Sequence, residues 1–245
     1  MPDSTFYTAV ESRRTIRDFL PDPVPQEVLD RCLDAARLAP SSSNLQPWEF
    51  IILRDPTVRQ LANAACLDQM PAKTAPVLLA LVTHRDTWRR NRDEILRIFE
   101  SRGPLRKSHA AYYRKIIPMV YTTGPFGLLG PLKQLFSRIA SLFRPTPNLM
   151  SRSDVRVMAH KSTALAAATF MLAMRAEGYD SCPMEGFDPW RAKALAGQGP
   201  VGPAAGCRGL HVPRSGEAQR ERDLVGAGTH AAGVERPGDL KPLRR

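Results

Sequence analysis

The amino-acid composition changes abruptly after Trp190, and this change limits where a hydrophobic core can form. From residue 191 to residue 245 the chain has no Phe, Tyr, Trp, Ile or Met, and ten of its sixteen glycines fall between Gly197 and Gly238. Such a segment buries too little apolar surface to offset the entropy that is lost on folding. The sequence therefore predicts one folded domain over residues 1–195 and an atypical, Gly- and Arg-rich, disordered tail over 196–245.

Within the first 195 residues, hydrophobic periodicity predicts both helices and strands, as expected of one sizeable α/β or α+β domain. WEFIIL, residues 48–53, reads as a strand, and the continuous apolar run PVLLALVT reads as a buried central strand. The strongest helix covers 155–177, which is apolar nearly all round from Ala164 to Met174 and is therefore expected to be buried. Further helices are predicted over 4–12, 26–40 and 57–69.

Residues 85–152 have the character of a long, basic insertion with six prolines. Inside it, the segment LKQLFSRIASLF places six large apolar side chains on one face of a helix, and cationic residues border them. Two interpretations are open for this amphipathic helix at 132–144. It lies on an anionic membrane surface, or it is a lid or dimer-packing helix, and the second is favoured because amphipathic packing is common.

The net charge of +11 raises the question of nucleic-acid binding, but the chain has no helix-turn-helix, zinc-finger or RNP pattern. Phosphates of a flavin or a nicotinamide account for a basic site equally well, so no nucleic acid is expected. The four cysteines lack metal-ligand spacing and read as buried thiols. The start of the chain lacks the pattern of a signal peptide, and the apolar run Pro76–Val82 is too short to span a bilayer. We expect a cytoplasmic protein.

Three short segments have the residue types of a binding site. SRRTIRDF brings Arg13, Arg14, Thr15 and Arg17 within five residues, and guanidinium forks with a hydroxyl suit a phosphate. PSSSNLQPW, residues 40–48, is either a turn or a set of hydroxyls and amides suited to the edge of a heteroaromatic ring. PMEGFDP, residues 183–189, sets a carboxylate beside a glycine that lets backbone approach a flat ligand.

In their order and separation these segments resemble the nitroreductase family, over Tyr7 to about Leu195 and interrupted by the 85–152 insertion. The resemblance implies an α+β fold with a central, mostly antiparallel sheet wrapped by helices. It also implies a homodimer that binds two FMN molecules at the subunit interface. The chemistry would be hydride transfer from NADH or NADPH, through FMN, to a nitroaromatic, quinone or similar electron-poor acceptor.

The resemblance also assigns the cofactor-binding residues, and it assigns no catalytic side chain. The basic segment would hold the FMN phosphate and ribityl chain. The second segment would approach the flavin from the partner subunit, and the third would pack on the ring and bond its edge through the main chain. These residues are Arg13, Arg14, Thr15 and Arg17; Ser41, Ser42, Ser43, Asn44 and Gln46; and Pro183, Met184, Glu185 and Gly186.

The tail departs from the family pattern, which continues with a hydrophobic strand, a glycine and a basic pair. Rereading freely chosen codons one base later allows strand-like residues near Cys207–Arg214, followed by a basic stretch and aromatic residues. We therefore hypothesise a frameshift near residues 195–206; the alternative is a lineage-specific disordered tail. Resequencing that region would test the hypothesis, since an intact reading frame would refute it.

Other functions also fit parts of the sequence. The same fold is compatible with a flavin-dependent reductive dehalogenase or with an enzyme that modifies flavin itself. A non-enzymatic basic protein that associates with a membrane or a nucleic acid would use residues 132–144 and the Arg-rich segments. Flavin binding separates the first two possibilities from the third.

Overall fold

A computed structural model of the chain describes residues 5–124, 129–145 and 151–195, together with the strand 210–211. These residues form a helix-rich α+β fold with a small antiparallel sheet, as the resemblance implied. The elements are α1 (Thr5–Ser12), α2 (Gln26–Arg37), β1 (Trp48–Leu53), α3 (Pro56–Ala65), α4 (Met70–Thr74), β2 (Leu78–Thr83), α5 (Trp88–Ser101), α6 (Lys107–Ala111), α7 (Ile117–Tyr121), α8 (Leu129–Ser141), α9 (Arg152–Ala176), α10 (Pro189–Leu195) and β3 (Leu210–His211).

The sheet has the strand order β2-β1-β3 and both pairings are antiparallel. The register of the longer pair runs from Trp48 opposite Thr83 to Leu53 opposite Leu78. The prediction that PVLLALVT is the central strand is wrong for the described strands, because β1 lies in the middle and β2 at an edge. An apolar run reports burial by helices on both sides of a sheet, and it does not report a strand's place in the sheet order.

Alternate side chains of β1 enter two different cores, because successive residues of a strand point to opposite faces. Trp48, Phe50 and Ile52 pack with α2 and α9 on one face. Leu53, with the partly buried Ile51, packs with α3 and α10 on the other face. The α2 side of the first core includes Cys32, where burial raises the thiol pKa to about 11. The sheet is therefore covered by helices on both faces.

Helix α9 begins with a reciprocal capping box, in which Ser151 and Asp154 each bond the other's backbone N–H. It ends at Ala176, and Gly178 two residues further on has a φ of 86°, a backbone conformation that glycine adopts without strain. Among the described helices it is the one long and apolar enough, by length and composition, to cross a membrane. Its contacts with α1, α2 and both longer strands are those of a core helix.

The expectation that α9 is buried all round is wrong for a single chain. One face is buried, but Ala164, Leu165 and Ala168 on the other face are exposed, and Leu165 keeps 47% of its surface. Helix α1 packs beside α9 and also exposes large apolar side chains, Phe6 and Tyr7. An apolar surface made of two adjacent helices is therefore left uncovered by this chain.

The insertion is helical over most of its described length, and it shares a separate hydrophobic cluster with α9 and the Ser41–Gln46 loop. Trp88 of α5, Ile117 and Tyr121 of α7, and Val155 of α9 form this cluster together with Leu45. The predicted helix over 57–69 is shorter than expected, because α3 ends at Ala65 and Leu67 and Asp68 have positive φ. The tail prediction and the frameshift hypothesis concern residues outside the described ranges, except for 210–211, which pair with β1. A strand is thus present at a position where the sequence did not predict one.

Candidate functional site

Two of the three sequence segments lie side by side at the C-terminal end of α9. Thr15 and Ser181 form an isolated parallel bridge, so the basic segment runs along the start of the PMEGF loop. Arg175 reinforces this arrangement, since its Nε donates to Ser12 Oγ at 2.9 Å and its second guanidinium nitrogen donates to Asp180 at 2.9 Å. Residues 13–17 and 181–186 therefore form one surface.

The cationic groups of this surface are accessible to a ligand. Arg14, Thr15 and Arg17 are exposed, and Arg13 is half-buried. The Arg14 guanidinium donates to the carbonyl oxygens of Glu11 at 2.8 Å and Arg13 at 2.9 Å. Arg17 lies close enough to Cys182 for its positive charge to oppose the rise that burial causes in the pKa of that thiol. The segment offers cations, a hydroxyl and no carboxylate between residues 13 and 17, which suits an anion.

The PMEGF loop presents main chain to solvent while one side chain anchors it. Met184 is half-buried against the core between α3 and α10, whereas Pro183, Glu185 and Gly186 are exposed. The Gly186 carbonyl accepts from Gln69 Nε2 at 2.5 Å. A Cβ at Gly186 would meet only that amide, at an ordinary contact distance of 3.5 Å, so protein packing does not require glycine here. Open space above the glycine leaves room for a flat ligand to approach its backbone.

The remaining segment, the loop Ser41–Gln46 from PSSSNLQPW, has an unusual backbone. A single 3₁₀ turn covers Ser42–Asn44, and the φ angles of Ser43, Asn44 and Gln46 are 56°, 54° and 42°. Positive φ is uncommon outside glycine and costs energy at each residue. Three such residues in one loop persist only where surrounding contacts hold them, and such strain is concentrated at functional sites.

Four hydrogen bonds hold this loop, one within it and three to neighbouring helices. Ser41 Oγ accepts from the backbone N–H of Gln46 at 3.0 Å, within the loop itself. Ser162 of α9 accepts from the backbone N–H of Ser42 at 3.3 Å. The Gln46 side chain donates to the Arg37 carbonyl at the end of α2 at 3.3 Å. Asn91 of α5 donates to the Leu45 carbonyl at 2.6 Å.

Three tyrosines of the insertion also reach this loop. Tyr112 pairs with Ser43 Oγ at 2.8 Å, Tyr113 donates to the Ser43 carbonyl at 3.2 Å, and Tyr121 donates to Ser42 Oγ at 3.3 Å. Burial raises the pKa of Tyr113 to about 12 and also raises the pKa of Tyr121. Both phenols therefore stay protonated donors at neutral pH, and the insertion packs on the loop.

Sequence reasoning did not identify the residues that hold the loop. Asn91, Ser162 and the tyrosines lie among other polar residues of helical segments, and their partners lie 46 to 120 residues away in the chain. The sequence feature that could have indicated these contacts is the pair of adjacent tyrosines, Tyr112 and Tyr113, in the insertion. What the pair contacts is decided by the tertiary fold and cannot be read from spacing.

The loop and the basic surface lie at different heights along α9. The loop contacts α9 at Ser162, whereas Ser12 and Asp180, which flank the basic surface, contact it at Arg175. Thirteen residues of helix separate these contacts, which corresponds to a rise of roughly 20 Å. Within one chain the loop and the basic surface therefore contact α9 at separate positions.

Comparison with known proteins identifies the family. The model of the nitroreductase family matches residues 10–198. A protein of Thermus thermophilus named NADH dehydrogenase is 28% identical over 190 residues, which is 78% of each chain. Protein DrgA of Synechocystis is 31% identical over 183 residues, covering 74% of this chain and 71% of that protein. The crystal structure of a nitroreductase-like protein of Exiguobacterium sibiricum in complex with FMN aligns with a TM-score of 0.53 at 21% identity, covering 82% and 84% of the two chains.

The chain belongs to the nitroreductase family, as the three segments indicated. Family membership and the names of the relatives support an oxidoreductase, and the family is generally flavin-dependent. The groups on the basic surface fit the two ends of FMN. Cations and a hydroxyl suit the phosphate, and exposed main chain at Gly186 suits the flat ring.

Proposed function

We propose that this protein is an FMN-dependent oxidoreductase that takes hydride from NADH or NADPH and passes it to an electron-poor acceptor by a ping-pong mechanism. Nitroaromatic compounds and quinones are the acceptor classes, and the cytoplasm is the proposed location. The single observation that carries the proposal is the bridge between Thr15 and Ser181, which joins the basic segment to the PMEGF loop. The name NADH dehydrogenase of the Thermus relative and the FMN bound to the Exiguobacterium protein support the donor and the cofactor.

The residues of this chain would bind and orient the cofactor. Arg13, Arg14 and Arg17, with Thr15, would neutralise the phosphate and hold it through charge-assisted hydrogen bonds. The main chain at 183–186 would lie against the ring, and Met184 would fix that loop to the core. Bound FMN supplies the redox chemistry, since it accepts hydride from a nicotinamide and donates it to an acceptor. The protein supplies binding, orientation and positive charge near the ring.

The second part of the proposal is a site shared by two subunits. It follows from the separate positions at which the loop and the neighbours of the basic surface contact α9. The α9 residues that contact the loop and Ser12 are separated by a rise of roughly 20 Å, which favours a site whose loop and basic surface come from different chains. A second copy that packs on the uncovered apolar surface of α1 and α9 would place its loop over the first copy's flavin. The exposed side chains of Phe6, Tyr7 and Leu165 support such a dimer.

Anaerobic stopped-flow spectroscopy tests the proposed reaction in two halves. The FMN-loaded protein is mixed with NADH or with NADPH, and bleaching of the flavin band reports the first hydride transfer. The reduced protein is then mixed with a benzoquinone or a nitrobenzoate, and return of the band reports the second transfer. Two separable half-reactions support the ping-pong proposal. A flavin that neither nicotinamide reduces would refute it.

Complementation between defective chains tests the shared site. Arg13→Ala damages the phosphate half of the site, and Asn44→Ala damages the loop half. If each site takes one half from each subunit, a mixed dimer of the two variants contains one intact site and recovers about half of the wild-type activity per dimer. No recovery above the sum of the single variants would show that each chain builds its own site.

A further inference from the structure

Helix α8 exposes its apolar face to solvent and turns polar residues towards the protein. The apolar stripe is defined as Leu132, Leu135, Phe136, Ile139, Leu142 and Phe143, which keep between 51% and 85% of their surface. A turn that follows the helix continues the stripe to Phe143, whose N–H donates to the Ala140 carbonyl at 3.1 Å. A helix that packs on the core of its own chain shows the opposite orientation, so the stripe is left for a surface outside this chain, and dimer packing remains the alternative to a membrane.

Polar contacts fix this orientation. The Lys133 ammonium donates to the carbonyls of Met119, at 2.6 Å, and Thr122. Gln134 donates to the Asp154 carboxylate at 2.8 Å, and Ser137 is buried. At the start of the helix, a Cβ on Gly130 would come within 3.1 Å of the Ser151 backbone, so α8 approaches the start of α9 closely there. Three inward polar residues and one close backbone contact therefore hold the stripe outwards.

The positive charge of the segment that contains the stripe favours an anionic partner. Fifteen Lys or Arg and five Asp or Glu lie between Arg85 and Arg156, so this segment carries +10 of the chain's net charge of +11. Arg138 on α8 and Arg144 just after it are exposed beside the stripe. Large apolar residues bordered by arginines are typical of helices that lie in the interface of an anionic bilayer.

We propose that the α8 stripe docks on the surface of an anionic membrane, with the helix lying in the plane of the headgroups. The stripe residues enter the boundary between headgroups and acyl chains, and Arg138 and Arg144 pair with lipid phosphates. The basic insertion adds long-range attraction that depends on ionic strength. This inference stands independently of flavin binding, because α8 lies outside both halves of the proposed cofactor site.

Vesicle co-sedimentation of the full chain tests the proposal. Vesicles of phosphatidylcholine alone are compared with vesicles that contain about one third phosphatidylglycerol, at low and at physiological salt. We expect binding to the anionic vesicles, weakening as salt increases and nearly absent from neutral ones. No binding to either vesicle at low salt would overturn the proposal.

Two double variants separate the apolar and the electrostatic contributions. Leu135→Gln with Phe136→Gln should lower the partition coefficient by at least about tenfold, since two large side chains no longer enter the bilayer. Arg138→Gln with Arg144→Gln should lower it on anionic vesicles by about 25-fold, at about fivefold for each cation. The matched control is Leu20→Gln with Leu61→Gln, two exposed leucines elsewhere, which should bind as the wild type does.

Gel filtration and flavin reduction in solution complete the test. The stripe variant should keep the elution volume and the Tm of the wild type, and its flavin reduction where the wild type binds flavin, so lost vesicle binding is not a sign of misfolding. A change in elution volume on removal of the stripe, without vesicle binding by the wild type, would assign the stripe to a second copy of the chain and overturn the membrane proposal. Unchanged vesicle binding by the stripe variant would overturn it as well.

Discussion

Replacing Asn91 with alanine tests whether the insertion holds the Ser41–Gln46 loop. The Asn91 amide donates to the Leu45 carbonyl at 2.6 Å and lies 3.4 Å from the Gln46 carbonyl. The three positive φ angles in this loop cost about 1 kcal/mol or more each, so roughly 3 kcal/mol of strain is held by such contacts. Leaving a half-buried carbonyl without its donor costs about 1–3 kcal/mol. We expect Asn91→Ala to lower the free energy of unfolding by about 2 kcal/mol.

Thermal unfolding and FMN titration measure the two consequences of Asn91→Ala. For a chain of this size, about 2 kcal/mol corresponds to a fall in Tm of roughly 4–8 °C. If the strained loop contacts flavin, its relaxation should weaken FMN binding by up to about 30-fold. Arg90→Ala, on an exposed position of the same helix, is the matched control and should change neither quantity. An Asn91→Ala protein with the Tm and FMN affinity of the control would refute the role of Asn91.

Three further predictions concern the core, the phosphate half and the capping box. Leu33 is 1% exposed, so Leu33→Ala should cost about 2–5 kcal/mol in chemical denaturation, whereas Leu20→Ala should cost less than about 0.5 kcal/mol. Arg13→Ala should weaken FMN binding by about 10- to 100-fold while leaving Tm without FMN unchanged, and an unchanged affinity would exclude Arg13 from the phosphate grip. Hydrogen bonds from Ser151 lower the pKa of Asp154 in the folded protein. Ionised Asp154 therefore stabilises the fold at pH values above its pKa in the unfolded chain, and this contribution is lost as the pH falls through its lower pKa in the folded state. Asp154→Asn should reduce the fall in the free energy of unfolding at acidic pH. An unchanged fall would show that Asp154 does not contribute to it.

The fold was largely predictable where local pattern determines structure. The bounds of β1, the start of α2 and the end of α9 just before Gly178 follow from periodicity and from terminating residues, whereas β2 begins two residues later and α2 ends three residues earlier than predicted. The order of strands in the sheet did not follow, because the pairing of β1 with residues 210–211 joins positions about 160 residues apart. The half-exposed state of α9 did not follow either, since composition shows that a helix needs cover but not which chain provides it.

The sequence indicated the segments of the candidate site, but it did not indicate the residues that hold those segments in place. Residues 13–17 and 183–186 were singled out by residue type and assigned to the cofactor by the resemblance, and the structure pairs Thr15 with Ser181 just before the second segment. The Ser41–Gln46 loop was found in the same way, but its positive φ angles occur at Ser, Asn and Gln, where sequence gives little warning. The insertion's contacts with this loop and the inverted orientation of α8 depend on hydrogen bonds between distant residues, which no local pattern encodes.

Retention of FMN by the purified chain tests the central claim most directly. The chain is incubated with FMN, freed of excess by gel filtration and examined by visible spectroscopy, in parallel with a version whose tail is translated in the restored frame. We predict a bound-flavin band that NADH or NADPH bleaches, and a band in the restored version alone would assign the defect to the tail. A colourless protein in both cases would contradict the assignment of residues 13–17 and 183–186 as a flavin site.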